Sequence, residues 1–365
     1  MSRPSASVRL ARRWDEGFSR GPALLLDALA GGYRGLLGAR SWLYGRGLLR
    51  SRALPCAVVS VGNLTVGGTG KTPAVELAVR TLAEMGHRAA VVSRGYRRQS
   101  RGVQIVADTA SIRLDPEDAG DEPFLLARRL PRVPVIVGAN RYEAARLAVE
   151  RFHATAVVLD DGFQHRTLVK HLEIVMTRAR NPWGNGRLLP GGPLREPLAA
   201  LARADLIVAT EARSAVDLEA VRADAARWAP AVPLLTARYA PVECWETERM
   251  RGRTLGSLGG ARLLAFAGIA SPRGFGGTLS ELGVAVLDQV PFPDHHWYST
   301  EDLRRLSLRA RELGAEGLVT TEKDWVRLRR LPPPDRPLYI VSVQLELLTG
   351  DDVWRAAFAR ACPRP

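Results

Sequence analysis

Ala57-Val58-Val59-Ser60-Val61-Gly62-Asn63-Leu64-Thr65-Val66-Gly67-Gly68-Thr69-Gly70-Lys71-Thr72-Pro73 is the stretch that decides the fold. An apolar, β-branched run leads into a glycine-rich loop ending in Lys-Thr, and a helical pattern from Pro73 to Met85 follows. Strand, loop and helix in that order make a phosphate-binding loop. Its backbone N–H groups and the helix N-terminus cradle phosphate oxygens, the Lys71 ammonium reaches the β/γ-phosphates, and the Thr72 hydroxyl ligates Mg²⁺. The usual pattern opens on glycine and this one opens on Thr65, but Gly67, Gly68 and Gly70 still supply a permissive backbone. The expected nucleotide-binding set is Thr65, Gly67, Gly68, Thr69, Gly70, Lys71 and Thr72.

Only three of the 52 basic residues are lysines. Where a generic positive charge would serve, this chain has arginine, so a retained lysine marks a site needing a compact point charge. Lys71 is one such position and Lys323 another.

With 365 residues and 46% hydrophobic content the chain can bury a large core, and its length predicts two domains. Cys56, Cys244 and Cys362 are few and far apart, which indicates neither a disulfide framework nor a zinc site and fits a reducing cytoplasm. The net charge of +14 is compatible with nucleic acid, an anionic membrane surface or an acidic substrate. Half of it lies in residues 1–54, where ten arginines stand against Asp15, Glu16 and Asp27. The same segment places Leu25, Leu29, Tyr33, Leu36 and Leu37 at helical spacing and adds Trp42, Leu43, Tyr44, Leu48 and Leu49. This composition predicts an amphipathic helix at a membrane interface, with basic residues toward headgroups. Charges and glycines interrupt every apolar stretch too early for a span, and no cleavable signal peptide is read. The alternative is a helix packed on the protein's own core.

From residue 55 onward, short β-rich runs alternate with helical patterns. Strands are expected at Ala57–Val61, Ala89–Ser93, Val133–Val137, Ala154–Asp160, Leu172–Met176 and Leu206–Thr210, with helices such as Asn140–Arg151 and Val216–Trp228 between them. The fold class is therefore α/β, a P-loop NTPase-like, mostly parallel sheet with helices on both faces. The pattern loosens through Pro241–Gly260, then resumes at Leu263–Ala267, Val284–Val290, Gly317–Thr321 and Leu338–Val343. The expected organisation is an N-terminal amphipathic segment (1–54), a P-loop domain (55–235) and a smaller second α/β domain (236–365).

Several loops carry chemistry. Val157-Val158-Leu159 ends in Asp160-Asp161-Gly162, as a metal-holding strand edge does, and Phe163-Gln164-His165-Arg166 follows. Gly120-Asp121-Glu122-Pro123 sets two acids at a helix start, where the helix dipole favours them. Ser93-Arg94-Gly95-Tyr96 and Leu189-Pro190-Gly191-Gly192-Pro193-Leu194-Arg195-Glu196 read as loops at strand ends. Asp294-His295-His296 and Thr320-Thr321-Glu322-Lys323-Asp324 follow strands in the second domain.

In order and spacing these segments resemble the tetraacyldisaccharide 4'-kinases of lipid A biosynthesis over nearly the whole chain, including the absent first glycine at Thr65. The resemblance implies transfer of the γ-phosphate of ATP, with Mg²⁺, to the 4'-hydroxyl of a lipid-linked glucosamine disaccharide 1-phosphate. It implies a peripheral enzyme at the cytoplasmic face of the bacterial inner membrane, which accounts for a basic N-terminal segment. Lys71 and the loop glycines are expected to hold phosphates, with Thr72, Glu122, Asp160 and Asp161 around the metal. By likeness to the family, Asp121 is the base for the 4'-hydroxyl and His295 its partner. Arg94, Arg141, Gln164, His165, Arg195 and Glu196 are assigned to substrate contacts, and Lys323 to a structural or substrate-contact role. The rival class is a P-loop ATPase regulating a nucleic-acid or protein partner. It predicts a basic stripe with interleaved aromatics, which the sequence lacks, so no nucleic-acid partner is expected.

Overall fold

A computed structural model of the chain describes residues 20–212, 214–247, 251–253 and 255–364. Its strands are β1 (Ala57–Gly62), β2 (Ala89–Ser93), β3 (Gln104–Ala107), β4 (Val135–Val137), β5 (Ala156–Asp160), β6 (Leu172–Arg178), β7 (Leu206–Thr210), β8 (Leu234–Glu246), β9 (Arg251–Arg253), β10 (Arg262–Ala267), β11 (Ala285–Pro291), β12 (Gly317–Thr321) and β13 (Leu338–Thr349). They form one sheet in the order β11-β10-β12-β13-β8-β7-β6-β1-β5-β2-β4-β3, with β9 pairing β8. Pairing is parallel except at β13–β8, β3–β4 and β8–β9.

Helices cover both faces, which is why the central strands β1, β5 and β6 are mostly apolar and buried on both sides rather than alternating. Adjacent residues of β1 serve opposite layers. Val59 and Val61 pack with Ala74, Val75 and Leu82 of the Lys71–Glu84 helix, whereas Val58 packs with Ala144, Ala145 and Ala148 of the Arg141–Phe152 helix.

The expected strands and helices are present within a few residues, and three strands were not expected: β3, β8 and β9. The segment around Pro241 read as a loosened pattern, yet β8 continues to Glu246. Pro241 and Glu243 pair with the adjacent residues Val343 and Ser342, so Val242 is the extra residue of a bulge. A proline is tolerated in a strand at such a point because the bulge already disrupts the ladder. The boundary expected at residue 235 falls inside β8, which joins β7 on one side and β13 on the other.

The first 19 residues of the basic segment lie outside the described residues. From Arg20 to Gly45 the chain is one helix of 26 residues. Its apolar positions do not share a single face. Ala30, Tyr33 and Leu37 pack against a cluster containing Leu64, Phe163, Leu188 and Leu194. Leu25, Leu29, Leu36 and Trp42 are exposed, as are Leu48 and Leu49 beyond the helix. Among the described residues no helix is long and apolar enough to cross a membrane.

Candidate active site

The phosphate loop is built where β1 ends between β5 and β6. Parallel register sets Asp160 of β5 beside Val61, so the carboxylates after β5 emerge next to the loop. The approach is close: a Cβ on Gly62 would lie 2.5 Å from Phe163 Cβ, which only glycine avoids. A second segment runs along the loop's leading edge. Thr65 bridges Leu194, Val66 N–H donates to the Pro193 carbonyl at 2.8 Å, and Arg195 N–H donates to the Leu64 carbonyl at 2.7 Å. The Leu-Pro-Gly-Gly-Pro-Leu-Arg-Glu run therefore borders the phosphate loop. Gly70, at φ 85°, hands the chain into the helix, which begins at Lys71, two residues earlier than expected.

Lys71 Nζ lies 3.6 Å from Asp161 Oδ1, and Arg195 Nη1 donates to Asp161 Oδ2 at 2.7 Å. Burial opposes ionisation of Asp161, but Lys71 and Arg195 outweigh it and hold its pKa below the usual value. Asp161 takes a left-handed backbone, φ 55°, which Asp tolerates better than most residues. Asp160 differs. Its Oδ2 accepts from Ser93 Oγ at 2.8 Å, while Oδ1 is buried with no hydrogen-bond partner among the described residues. Burial, followed by the charges of Glu122 and Asp161, raises its pKa to about 7.

A second cluster stands at the start of the Asp121–Arg129 helix. His295 Nδ1 lies 2.8 Å from Asp121 Oδ2, joining residues 174 positions apart. Lys323 Nζ donates to Glu122 Oε1 at 2.7 Å and lies 4.0 Å from Asp294. Burial opposes the charge on Asp121, but the His295 hydrogen bond and the fields of Lys323 and Arg327 hold its carboxyl well below the ordinary range. Glu122 is likewise shifted down against burial, chiefly by Lys323. Lys323 in turn is pushed up: burial works against its charge, and Glu122, Asp294 and Asp121 more than compensate. The two clusters share one field, because Lys71 acts on Glu122 and Glu122 on Asp160.

The remaining expected residues are distributed around these clusters. Arg94 is exposed on the loop after β2. Arg141 is buried and donates to the Gly138 and Ala139 carbonyls, and its Nε has no hydrogen-bond partner among the described residues. The Gln164 amide donates to the Asn63 carbonyl at 2.9 Å and accepts from Arg195 at 3.4 Å. His165 meets Thr167 Oγ1 at 2.7 Å, and burial lowers its pKa to about 4. Glu196 is engaged by Arg203 at 2.6 Å, with its other oxygen buried and without a hydrogen-bond partner among the described residues. The Arg20–Gly45 helix reaches the same loops, since Tyr33 hydroxyl donates to the Arg195 carbonyl and Arg40 to the Gln164 carbonyl, both at 2.9 Å. Thr65 and Thr69 are buried in the phosphate loop.

The expected metal set is not a preformed cage. Among the described residues no three His, Cys, Asp or Glu side chains converge on one point. Glu122 is held by Lys323 and Asp161 by Lys71 and Arg195, so Asp160, with its unpartnered oxygen, is the acid best suited to a hard cation.

Some contributors were not singled out in the sequence. Lys170, the third lysine, has a buried side chain that lies 2.8 Å from Glu173 and donates to the Phe163 carbonyl at 3.2 Å, supporting the loop after Asp161 from behind. The scarcity of lysine was a usable signal for it. Arg327, fully buried, donates to the Gly268 and His296 carbonyls and lies 3.6 Å from Asp121. Among so many arginines nothing in the sequence distinguished it.

A family model described as tetraacyldisaccharide-1-P 4'-kinase matches residues 22–362. A tetraacyldisaccharide 4'-kinase of Anaeromyxobacter sp. (strain Fw109-5) is 44% identical over 344 residues, covering 93% of this chain and 92% of that protein. One from Syntrophus aciditrophicus is 40% identical over 352 residues, covering 93% and 94%. A solved structure, the "apo" form of LpxK from Aquifex aeolicus in complex with ATP, superposes with a TM-score of 0.73 at 29% identity, covering 93% of this chain and 99% of that one. With the family pattern matched from the N-terminal helix to the last, the chain belongs to the tetraacyldisaccharide 4'-kinase family.

Proposed function

We infer that this chain is an ATP-dependent kinase that phosphorylates the 4'-hydroxyl of a tetraacyldisaccharide 1-phosphate in lipid A biosynthesis. The observation that carries the reading is the pairing of Asp121 with His295 beside a phosphate loop, in a chain whose relatives carry that name. A sugar hydroxyl attacks a phosphoryl group well only when its proton has a destination. Asp121 is ionised and oriented by His295, so it accepts that proton as the hydroxyl oxygen bonds to the γ-phosphorus and the bond to the bridging oxygen of the leaving ADP breaks, while His295 holds the carboxyl in place.

Lys71 and the N–H groups of Gly67–Thr72 hold and orient the transferred phosphoryl group, which is most of what this chemistry asks of a protein. Mg²⁺ fits at Thr72 and Asp160, with Asp161 and Glu122 nearby, the unpartnered Asp160 oxygen being the supporting observation. When bound, the ion neutralises charge on the phosphate oxygens. Arg195 and Gln164, tied to the loop after Asp161, together with Arg94, Arg141, His165 and Glu196, form the substrate-facing rim. Residues 55–235 and 236–365 act as two lobes of one continuous sheet joined through β8, the first carrying Asp121 and the second His295, so the catalytic pair is complete only when they are apposed.

The enzyme works at the cytoplasmic face of the inner membrane. Exposed Leu25, Leu29, Leu36 and Trp42 on a helix that touches both rim loops support this, because a helix lying in the interface would bring the site to a lipid that stays in the bilayer. The test is transfer of labelled γ-phosphate from ATP to tetraacyldisaccharide 1-phosphate in mixed micelles, with and without Mg²⁺. Labelled lipid that needs Mg²⁺ and vanishes in Lys71→Ala supports the reading, whereas ATP binding with no labelled lipid rejects it in favour of a regulatory ATPase.

A further inference from the structure

The helix that begins with Asp121 and Glu122 ends with Arg129, and its far end is as firmly held as its first turn. Arg129 Nε donates to Glu322 Oε2 at 2.7 Å, and its Nη2 lies 2.5 Å from the same oxygen. Nη1 donates to Glu76 Oε2 at 3.2 Å and to the Val343 carbonyl at 2.6 Å. Glu76 belongs to the Lys71–Glu84 helix, Glu322 opens the Glu322–Leu328 helix that carries Lys323, and Val343 lies in β13. Both carboxylates are buried, at 4% and 5% exposure. Opposite Val343 stands Pro241, which has no N–H to offer across the ladder, and the Val343 carbonyl takes its hydrogen bond from Arg129 instead. One planar guanidinium thus joins the phosphate-loop helix, the Asp121 helix, the Lys323 helix and a strand.

Among the described residues, the three closest ionic contacts that run from this single helix to the C-terminal part of the chain are Asp121 to His295, Glu122 to Lys323, and Arg129 to Glu322, with Asp121 to Arg327 and Arg128 to Glu322 longer at 3.6 Å. The first two involve groups that the kinase reading places at the acceptor hydroxyl and beside the metal and phosphates. The third is away from the reacting atoms and has no such second task. We propose that Arg129 is a positioning residue for phosphoryl transfer, the fixed anchor that keeps Lys71, Asp121 and Lys323 in register while the contacts at the front of the helix exchange partners. It acts through Glu76 and Glu322 and touches no substrate. Neighbouring arginines do not replace it: Arg80 engages the other Glu76 oxygen from a half-exposed position, and Arg128 lies 3.6 Å from Glu322 while stacking over Trp325.

The inference rests on the kinase reading, and the experiment separates the two. Full-length wild type, Arg129→Met, Arg129→Lys, Glu322→Gln and the Arg129→Met/Glu322→Gln double variant are compared in the labelled-lipid assay, with ATP affinity and Tm measured on the same preparations. In Arg129→Met, kcat is expected to fall by roughly 100-fold while KM for ATP stays within about threefold, since a small misplacement suffices to slow chemistry without abolishing binding. Arg129→Lys is expected to recover part of kcat, and the double variant to lose less than the product of the single losses. Should Arg129→Met fail to fold, Arg129→Lys and Glu322→Gln carry the same kcat-against-KM comparison. Unchanged kcat per folded molecule with only a lower Tm, or losses that simply multiply, would overturn the anchor role. Wild type that labels no lipid would overturn the kinase reading and this inference with it.

Discussion

Asp121 and His295 stand 2.8 Å apart across a sequence separation of 174 residues, each at a specialised point of the backbone. Asp121 is the first residue of a helix, where the dipole favours its charge, and His295 sits in a left-handed turn at φ 60°. Replacing Asp121 with Ala is expected to lower kcat by about 10²–10⁴-fold with ATP affinity nearly unchanged. His295→Ala should lose less, because the base survives without its orienting partner. Single-turnover lipid phosphorylation measures both; equal turnover in Asp121→Ala and wild type would remove the base assignment.

Asp160 yields a pH prediction. Burial, Glu122 and Asp161 raise its pKa to about 7, so below that pH the carboxyl carries a proton that a cation must displace. The Mg²⁺ concentration for half-maximal activity should therefore fall as pH rises from about 6 to about 8, then level off. Asp160→Asn abolishes the proton and should flatten that dependence while weakening the metal requirement's saturation. Titrations of activity against Mg²⁺ at several pH values decide the matter.

Lys323 and Glu122 are paired at a partly exposed position. Lys323→Met leaves the Glu122 charge without its counter-ion, a change that typically costs about 3–5 kcal/mol at a buried site. Discounted for the partial exposure of both side chains, a loss of about 2 kcal/mol is expected. The double change Lys323→Met/Glu122→Gln should restore much of the denaturation midpoint without restoring turnover. A double variant no more stable than the single one would show that the pair is not the source of the loss.

Gly70 tests the phosphate loop. A Cβ there would collide with the Tyr239 hydroxyl, and the residue stands at φ 85°. Gly70→Ala is expected to weaken ATP binding and lower Tm. Adding Tyr239→Phe removes the colliding oxygen but leaves the left-handed backbone penalty of about 1–2 kcal/mol, so rescue should be partial. Calorimetric ATP titration of the single and double variants checks the order.

The exposed leucines of the N-terminal helix separate membrane attachment from folding. Leu25, Leu29 and Leu36 are 64%, 52% and 72% exposed, so changing all three to Ser should leave Tm within about 1 °C. Sedimentation with anionic vesicles should fall several-fold. Loss of Tm without loss of vesicle binding would assign this face to internal packing.

Much of the candidate site was legible because the chemistry proposed for it is local in sequence. Gly67 to Thr72 must be contiguous to wrap a phosphate, and Asp160 and Asp161 must follow a strand to reach it. The apolar runs of β1, β2, β5, β6 and β7 named a parallel sheet because burial on both faces leaves no polar alternation. Strand β8 was hidden because its pattern is half-exposed and broken at the Pro241 bulge. The role of Lys323 stayed open until its partner Glu122, 201 residues away, was placed beside it.

By itself the sequence determined the phosphate loop, the α/β order and the residue types available for proton transfer and metal binding, since these follow from backbone conformation and side-chain chemistry within short segments. Tertiary structure alone decided which charges face one another. It separated Asp160, whose Oδ1 has no hydrogen-bond partner among the described residues, from Asp161, ion-paired with Lys71 and Arg195. It also brought Arg129 onto Glu76 and Glu322. The physical reason is that Coulombic and desolvation effects depend on distance and burial, which packing sets and no local pattern encodes.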